Sequence, residues 1–78
     1  MLVSTLMDLL ASVRPESDFA QSEDFLEDGL LDSFDMLTLV SSIDHAFDIS
    51  IDGLDIVPDN FRSVAAISAL VTRYGVTS

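Results

Sequence analysis

Two groups of residues in this chain have types and spacing suited to chemistry. The first is the run Gly29-Leu30-Leu31-Asp32-Ser33-Phe34-Asp35, which sets a serine where a long polar segment gives way to an amphipathic helix. A hydroxyl there faces unpaired backbone N–H groups and the positive end of the helix dipole, an environment that suits a serine carrying a phosphodiester. Ser and Asp are also common as plain helix caps. Catalysis by Ser33 fits poorly. It has no Gly-x-Ser-x-Gly elbow, and the one histidine, His45, follows twelve residues later. Along one helix that is about 18 Å at 1.5 Å per residue, beyond the reach of a base. His45 falls on the polar face and reads as a solvated side chain.

The second group is Asp48, Ser50, Asp52, Gly53 and Asp59. These occupy the first, third, fifth, sixth and twelfth positions of an EF-hand calcium loop. Several residues oppose that reading. Ile49 and Ile51 are apolar where such loops are polar, and Asp55 takes a position usually held by an aliphatic residue. Asp59 is shorter than the usual bidentate Glu, and Pro58 would break the start of an exiting helix.

Charge narrows the choice of partner. Three arginines, no lysine and fourteen acidic residues give a net charge of −11, yet 49% of the residues are hydrophobic. That is too apolar for an acidic disordered tail, so the chain folds with a strongly negative surface. Nucleic acid and anionic lipid would be repelled, and a protein with an Arg/Lys-rich face would be steered in. There is no cysteine, which excludes disulfides and thiolate metal sites. No basic residue precedes Arg14, so the N-terminus does not read as a secretory signal. A single cytoplasmic domain spanning 1–78, monomeric, is expected.

Three segments carry helical periodicity. Leu2, Val3, Leu6, Leu9, Leu10 and Val13 predict a helix over 2–13, with Arg14 in the last turn and Pro15 as a stop. Met36, Leu37, Leu39, Val40, Ile43, Ala46 and Phe47 predict a second over 33–47. Asp32 would be its N-cap, Asp35 would complete an acidic capping box, and Leu31 with Met36 would form the staple. Phe61, Val64, Ile67, Leu70, Val71 and Tyr74 predict a third over 62–74, ended by Gly75. Ile49 and Ile51 alternate like a strand but have no visible partner strand; an extended stretch with one short helical turn at 53–57 fits better. Residues 15–32 make an unusually long connection. Its Phe19, Phe25, Leu26, Leu30 and Leu31 should pack back on the helices, letting the first two run in the same general direction. The expectation is an all-α bundle of three to four helices with a long first loop.

The run Asp32-Ser33-Phe34-Asp35 resembles the Asp-Ser-Leu-Asp attachment motif of acyl and peptidyl carrier proteins. The similarity continues through Leu39-Val40, Ile43-Asp44 and Phe47-Asp48 to Ile51, and resumes from Phe61 to Ile67, covering roughly 20–72. The resemblance implies that Ser33 carries 4′-phosphopantetheine, installed from coenzyme A by a phosphopantetheinyl transferase. The arm's thiol would hold an acyl or aminoacyl group as a thioester between enzymes, and the chain itself would catalyse nothing. Partners would be that transferase, a loading ligase and a downstream transferase with basic docking faces. The resemblance also implies recognition roles for Asp32, Phe34, Asp35, Met36, Asp44, Asp48 and Asp55. Thr38, Ser41 and His45 depart from the fatty-acid-synthesis pattern, and Phe34 with the Gly-Leu-Leu-Asp-Ser-Phe run looks more like stand-alone D-alanyl carrier proteins. A non-catalytic adaptor with the same fold and a bare Ser33 is the alternative.

The net charge of −11 predicts self-repulsion that salt screens. Thermal melts across a series of sodium chloride concentrations should show Tm rising with ionic strength; a flat series would contradict this.

Overall fold

The computed structural model describes residues 2–19 and 22–76. Helix α1 spans Leu2–Val13 and buries Leu2, Leu6 and Leu10, spaced four apart on one face. It runs out where the Arg14 amide donates to the Leu10 carbonyl and Pro15 follows. Helix α2 spans Ser33–Phe47. Its start is a capping box: Asp32 Oδ1 accepts from the Asp35 amide at 2.8 Å, and Asp35 Oδ2 accepts from the Asp32 amide at 3.3 Å. Leu31 and Met36 are both buried beside it, at the positions of the hydrophobic staple.

Helix α3 spans Val64–Arg73, two residues later in starting than the periodicity suggested. Ser63 decides its start by accepting the Ala66 amide at 3.1 Å. The end is a Schellman closure, in which Gly75 N–H donates to Thr72 and Val76 N–H to Val71. Gly75 sits at φ +91°, which a side chain would oppose. At the end of α2 the corresponding left-handed residue is Asp48, at φ 55°.

The connection 48–63 forms no strand. It holds two 3-10 turns, Gly53–Asp55 and Pro58–Asn60. Asp44 Oδ1 accepts from the Ile51 amide, and Asp52 Oδ1 from the Leu54 amide. Tyr74 then clasps the segment from α3: its hydroxyl accepts from the Asp52 amide at 2.8 Å and donates to Asp55 at 2.6 Å.

The long first connection is anchored, as its apolar residues suggested. Asp24 caps a helical turn by accepting from the Leu26 and Glu27 amides, and Phe25 is fully buried. Phe19 meets the Phe25 ring edge to face at 4.9 Å. The Phe25 amide donates to the Arg62 carbonyl at 2.6 Å, and the Arg62 guanidinium reaches Asp24 at 3.8 Å and Asp59 at 2.6 Å. The loop is thereby tied to the approach to α3.

α1 packs against both α2 and α3. Leu6, Leu10, Phe25, Leu39, Ile43, Phe61, Ile67, Leu70 and Val71 are almost wholly excluded from water. The radius of gyration is 11.2 Å, against about 11.5 Å expected for a folded chain of this length, so the elements share one core. No polar side chain among the described residues is buried.

Two expectations need correction. Arg14, just past α1, bonds Asp35 in the first turn of α2, so the end of α1 meets the start of α2. Helices packed side by side in the same direction would not bring those ends together. Leu37 and Ala46, assigned to the apolar stripe, are exposed. The buried stripe of α2 is Met36, Leu39, Val40 and Ile43, and Leu37 lies about 100° further round the helix than Met36.

Phe25→Ala should cost about 3–5 kcal/mol, a large share of the stability of so small a domain. Urea melts check the loss, and hydrogen exchange should show the 24–31 amides losing protection first. Protection that survives would mean the loop does not depend on this ring.

Candidate functional site

At the start of α2, Asp32, Ser33 and Phe34 are exposed among the described residues. Ser33 is the first helical residue and is exposed. No hydrogen bond occupies its hydroxyl among the described residues, because the neighbouring Asp32 already supplies the cap. Cap and hydroxyl are thus separate: Asp32 satisfies the Asp35 amide with its side chain and the Met36 amide with its carbonyl. The Ser33 and Phe34 amides, earliest in the helix, have no acceptor within the described fold. Two unpaired donors beside a free hydroxyl suit an oxygen-rich anion.

Phe34 is 76% exposed, Leu37 57% and Leu54 87%. Such exposure of large apolar side chains in one small domain is a feature to explain. Met36 corrects an expectation. It is buried in the core, so it does not stand beside Phe34 as a surface contact. Phe34 and Leu37, three apart on the helix, are the exposed apolar residues of this turn and the next. Leu37 was missed as a surface residue because periodicity alone cannot say which edge of a stripe is covered.

The acidic residues divide by what already holds them. The Asp35 side chain is 13% exposed, and its Oδ2 receives Arg14 Nε and Nη2, both at 2.7 Å. The hydrogen bond from Arg14 holds the Asp35 carboxyl below its ordinary range, assisted by the Asp32 amide and opposed by partial burial. Arg14 is correspondingly pushed up, chiefly by the same bond. Asp32 is different: its side chain is 63% exposed and its Oδ2 is 3.6 Å from Arg14 Nη2. Arg14 also reaches Glu16 at 3.4 Å.

Asp44 and Asp55 are engaged within the fold, the first by the Ile51 amide and the second by the Tyr74 hydroxyl. The bond to Asp55 also pushes the Tyr74 hydroxyl up from its usual range. Asp48 is exposed at the end of α2. The structure therefore brings Ser33, Asp32 and Phe34 together at one end of α2, with Asp48 at the other and Asp55 beyond it.

The residues of the calcium-loop pattern take other roles. Asp48 ends α2, Asp52 caps a 3-10 turn and Asp59 pairs with Arg62. A 3-10 turn begins at Pro58 where that pattern needs a helix. Among the described residues no group of three or more His, Asp or Glu side chains is arranged to hold a metal ion, and no helix is long and apolar enough to cross a membrane.

Arg14 is the site residue that sequence reasoning missed. It was read as a cation at a helix end. The available signal was scarcity, since a cation among fourteen acids will pair, but only the packing of α1 on α2 names Asp35. Comparison of the chain with protein-family models, curated proteins and solved structures finds no match.

Because its pKa is depressed in the fold, Asp35 contributes stability that is fully present above the unfolded value, about pH 4, and lost as pH falls through the folded value. Acid also relieves the repulsion among the other carboxylates, so the informative quantity is a difference. The stability gap between wild type and Asp35→Asn should be constant from neutral pH down to about pH 4 and close below it. Urea melts at several pH values measure it; a gap independent of pH would mean the carboxylate is not ion-paired.

Proposed function

We propose that this chain is a carrier protein, with 4′-phosphopantetheine attached through a phosphodiester to Ser33 Oγ. The observation that carries the reading is the separation of roles at the start of α2. Asp32 closes the helix end, so the exposed Ser33 hydroxyl is not needed to hold the fold. A structural cap would be expected to bond the backbone, as Ser63 does at the start of α3.

The chain's own residues fit the group. The Ser33 and Phe34 amides could donate to the phosphodiester oxygens, and the helix dipole would favour their charge. Phe34 and Leu37 offer apolar contact beside the attachment point, and the negative surface would steer in enzymes with basic docking faces. The absence of cysteine leaves the chain without a thiol of its own. When bound, the arm supplies that thiol and carries an acyl or aminoacyl group as a thioester. The carrier-like helical bundle, the stand-alone D-alanyl type of pathway and cytoplasmic residence belong to the same proposal.

Incubation with coenzyme A, magnesium and a broad-specificity phosphopantetheinyl transferase should add one phosphopantetheinyl group, read by intact-protein mass spectrometry. Ser33→Ala should gain no mass and melt within about 0.5 kcal/mol of wild type, as for a surface change away from structural contacts. A wild type left bare by several transferases would favour the adaptor reading.

A further inference from the structure

We propose that Arg14 divides the two carboxylates flanking Ser33 between two tasks: Asp35 is taken up in fastening α1 to α2, and Asp32 is the one offered to a basic partner. The inference rests on the carrier reading and specifies its recognition chemistry.

The geometry distinguishes the pair. Asp35 Oδ2 receives two guanidinium nitrogens at 2.7 Å on a side chain only 13% exposed. A partner's arginine would have to displace a close ion pair already shielded from water. Asp32 uses Oδ1 inward for the Asp35 amide. Its Oδ2 sits 3.6 Å from Arg14 on a side chain that is 63% exposed. At that distance and exposure the Arg14 contact is weak and screened, so an incoming cation can compete for the carboxylate. Arg14 also acts as a brake, since its charge offsets the field of Asp32 that a basic face would sense.

Asp32 performs its two jobs with different oxygens, which makes them separable. Asn caps a helix about as well as Asp, so Asp32→Asn removes the charge and keeps the cap. Arg14→Gln does the converse, freeing both carboxylates and loosening the joint between helices. A residue with a purely structural role would not improve recognition when removed. Arg14 is therefore a positioning residue whose loss should move stability and recognition in opposite senses.

The experiment measures transferase kinetics with the intact protein as the varied substrate, alongside thermal melts. Asp32→Asn should raise KM roughly three- to tenfold with little change in kcat, as for a charge at the rim of an interface. Its Tm should match wild type. Arg14→Gln should lower Tm measurably, because it removes a joint between two helices of a small domain, and lower KM as well. Glu16→Gln, which removes the same charge from another exposed neighbour of Arg14, should change KM less than Asp32→Asn does. A KM unmoved by Asp32→Asn, matched by Glu16→Gln, or raised by Arg14→Gln overturns the assignment. If Arg14→Gln does not fold, Arg14→Lys keeps the charge without the two-pronged contact and should lower Tm while leaving KM near wild type; a raised KM there counts against it equally. No mass gain in the wild type strikes the carrier reading itself, whereas a modified wild type that fails these contrasts strikes only this proposal.

Discussion

Fourteen acidic side chains and three guanidinium groups share one small surface, and two of those guanidiniums, Arg14 and Arg62, pair where separate elements meet. Arg14 joins the end of α1 to the start of α2 through Asp35. Arg62 joins the long first connection to the approach to α3 through Asp24 and Asp59. In a chain this acidic, a cation at a junction does more than form one contact. It removes repulsion where acidic segments must converge. The Arg14–Asp35 pair is partly shielded from water, so screening is weaker there than on an open surface, whereas Arg62 and Asp59 meet where both are exposed.

The same scarcity shapes the candidate site. Asp32 and Asp35 cap each other reciprocally, a arrangement that brings two like charges to one helix end. The helix dipole and Arg14 make that tolerable. The outcome is a first turn whose backbone is settled without help from Ser33. The exposed Ser33 hydroxyl, with the Ser33 and Phe34 amides lacking an acceptor among the described residues, is what the proposed attachment of an anionic group would use. Phe34, Leu37 and Leu54 stay exposed although they are large and apolar, a feature that the proposed docking with partner enzymes would use.

The two connections are held by apolar and polar contacts in different proportions. In the first, Phe19, Phe25 and Leu31 are inserted into the core, and Arg62 adds its tie to Asp24. Residues 48–63 rely more on polar contacts from Asp44, Asn60 and Tyr74, with Ile51 and Phe61 buried at either end. The second connection thus keeps Leu54 outside while its backbone stays in place.

Much of this was legible in the residues themselves. The bounds of α1 and α2 follow from local rules, because a four-residue apolar stripe, an Asp32 cap and a Pro15 stop act within a turn or two of chain. The capping box and staple were readable for the same reason. The 53–55 turn and the anchored first loop were legible in outline, though the Asp24 cap and the Arg62 tie were not. Tertiary structure alone decided which edge of α2 faces water, placing Leu37 outside and Met36 inside. It also decided that Arg14 meets Asp35 and that Tyr74 reaches Asp55. Those contacts span 21 and 19 residues, and partner choice at that separation depends on how helices pack, which no local pattern encodes.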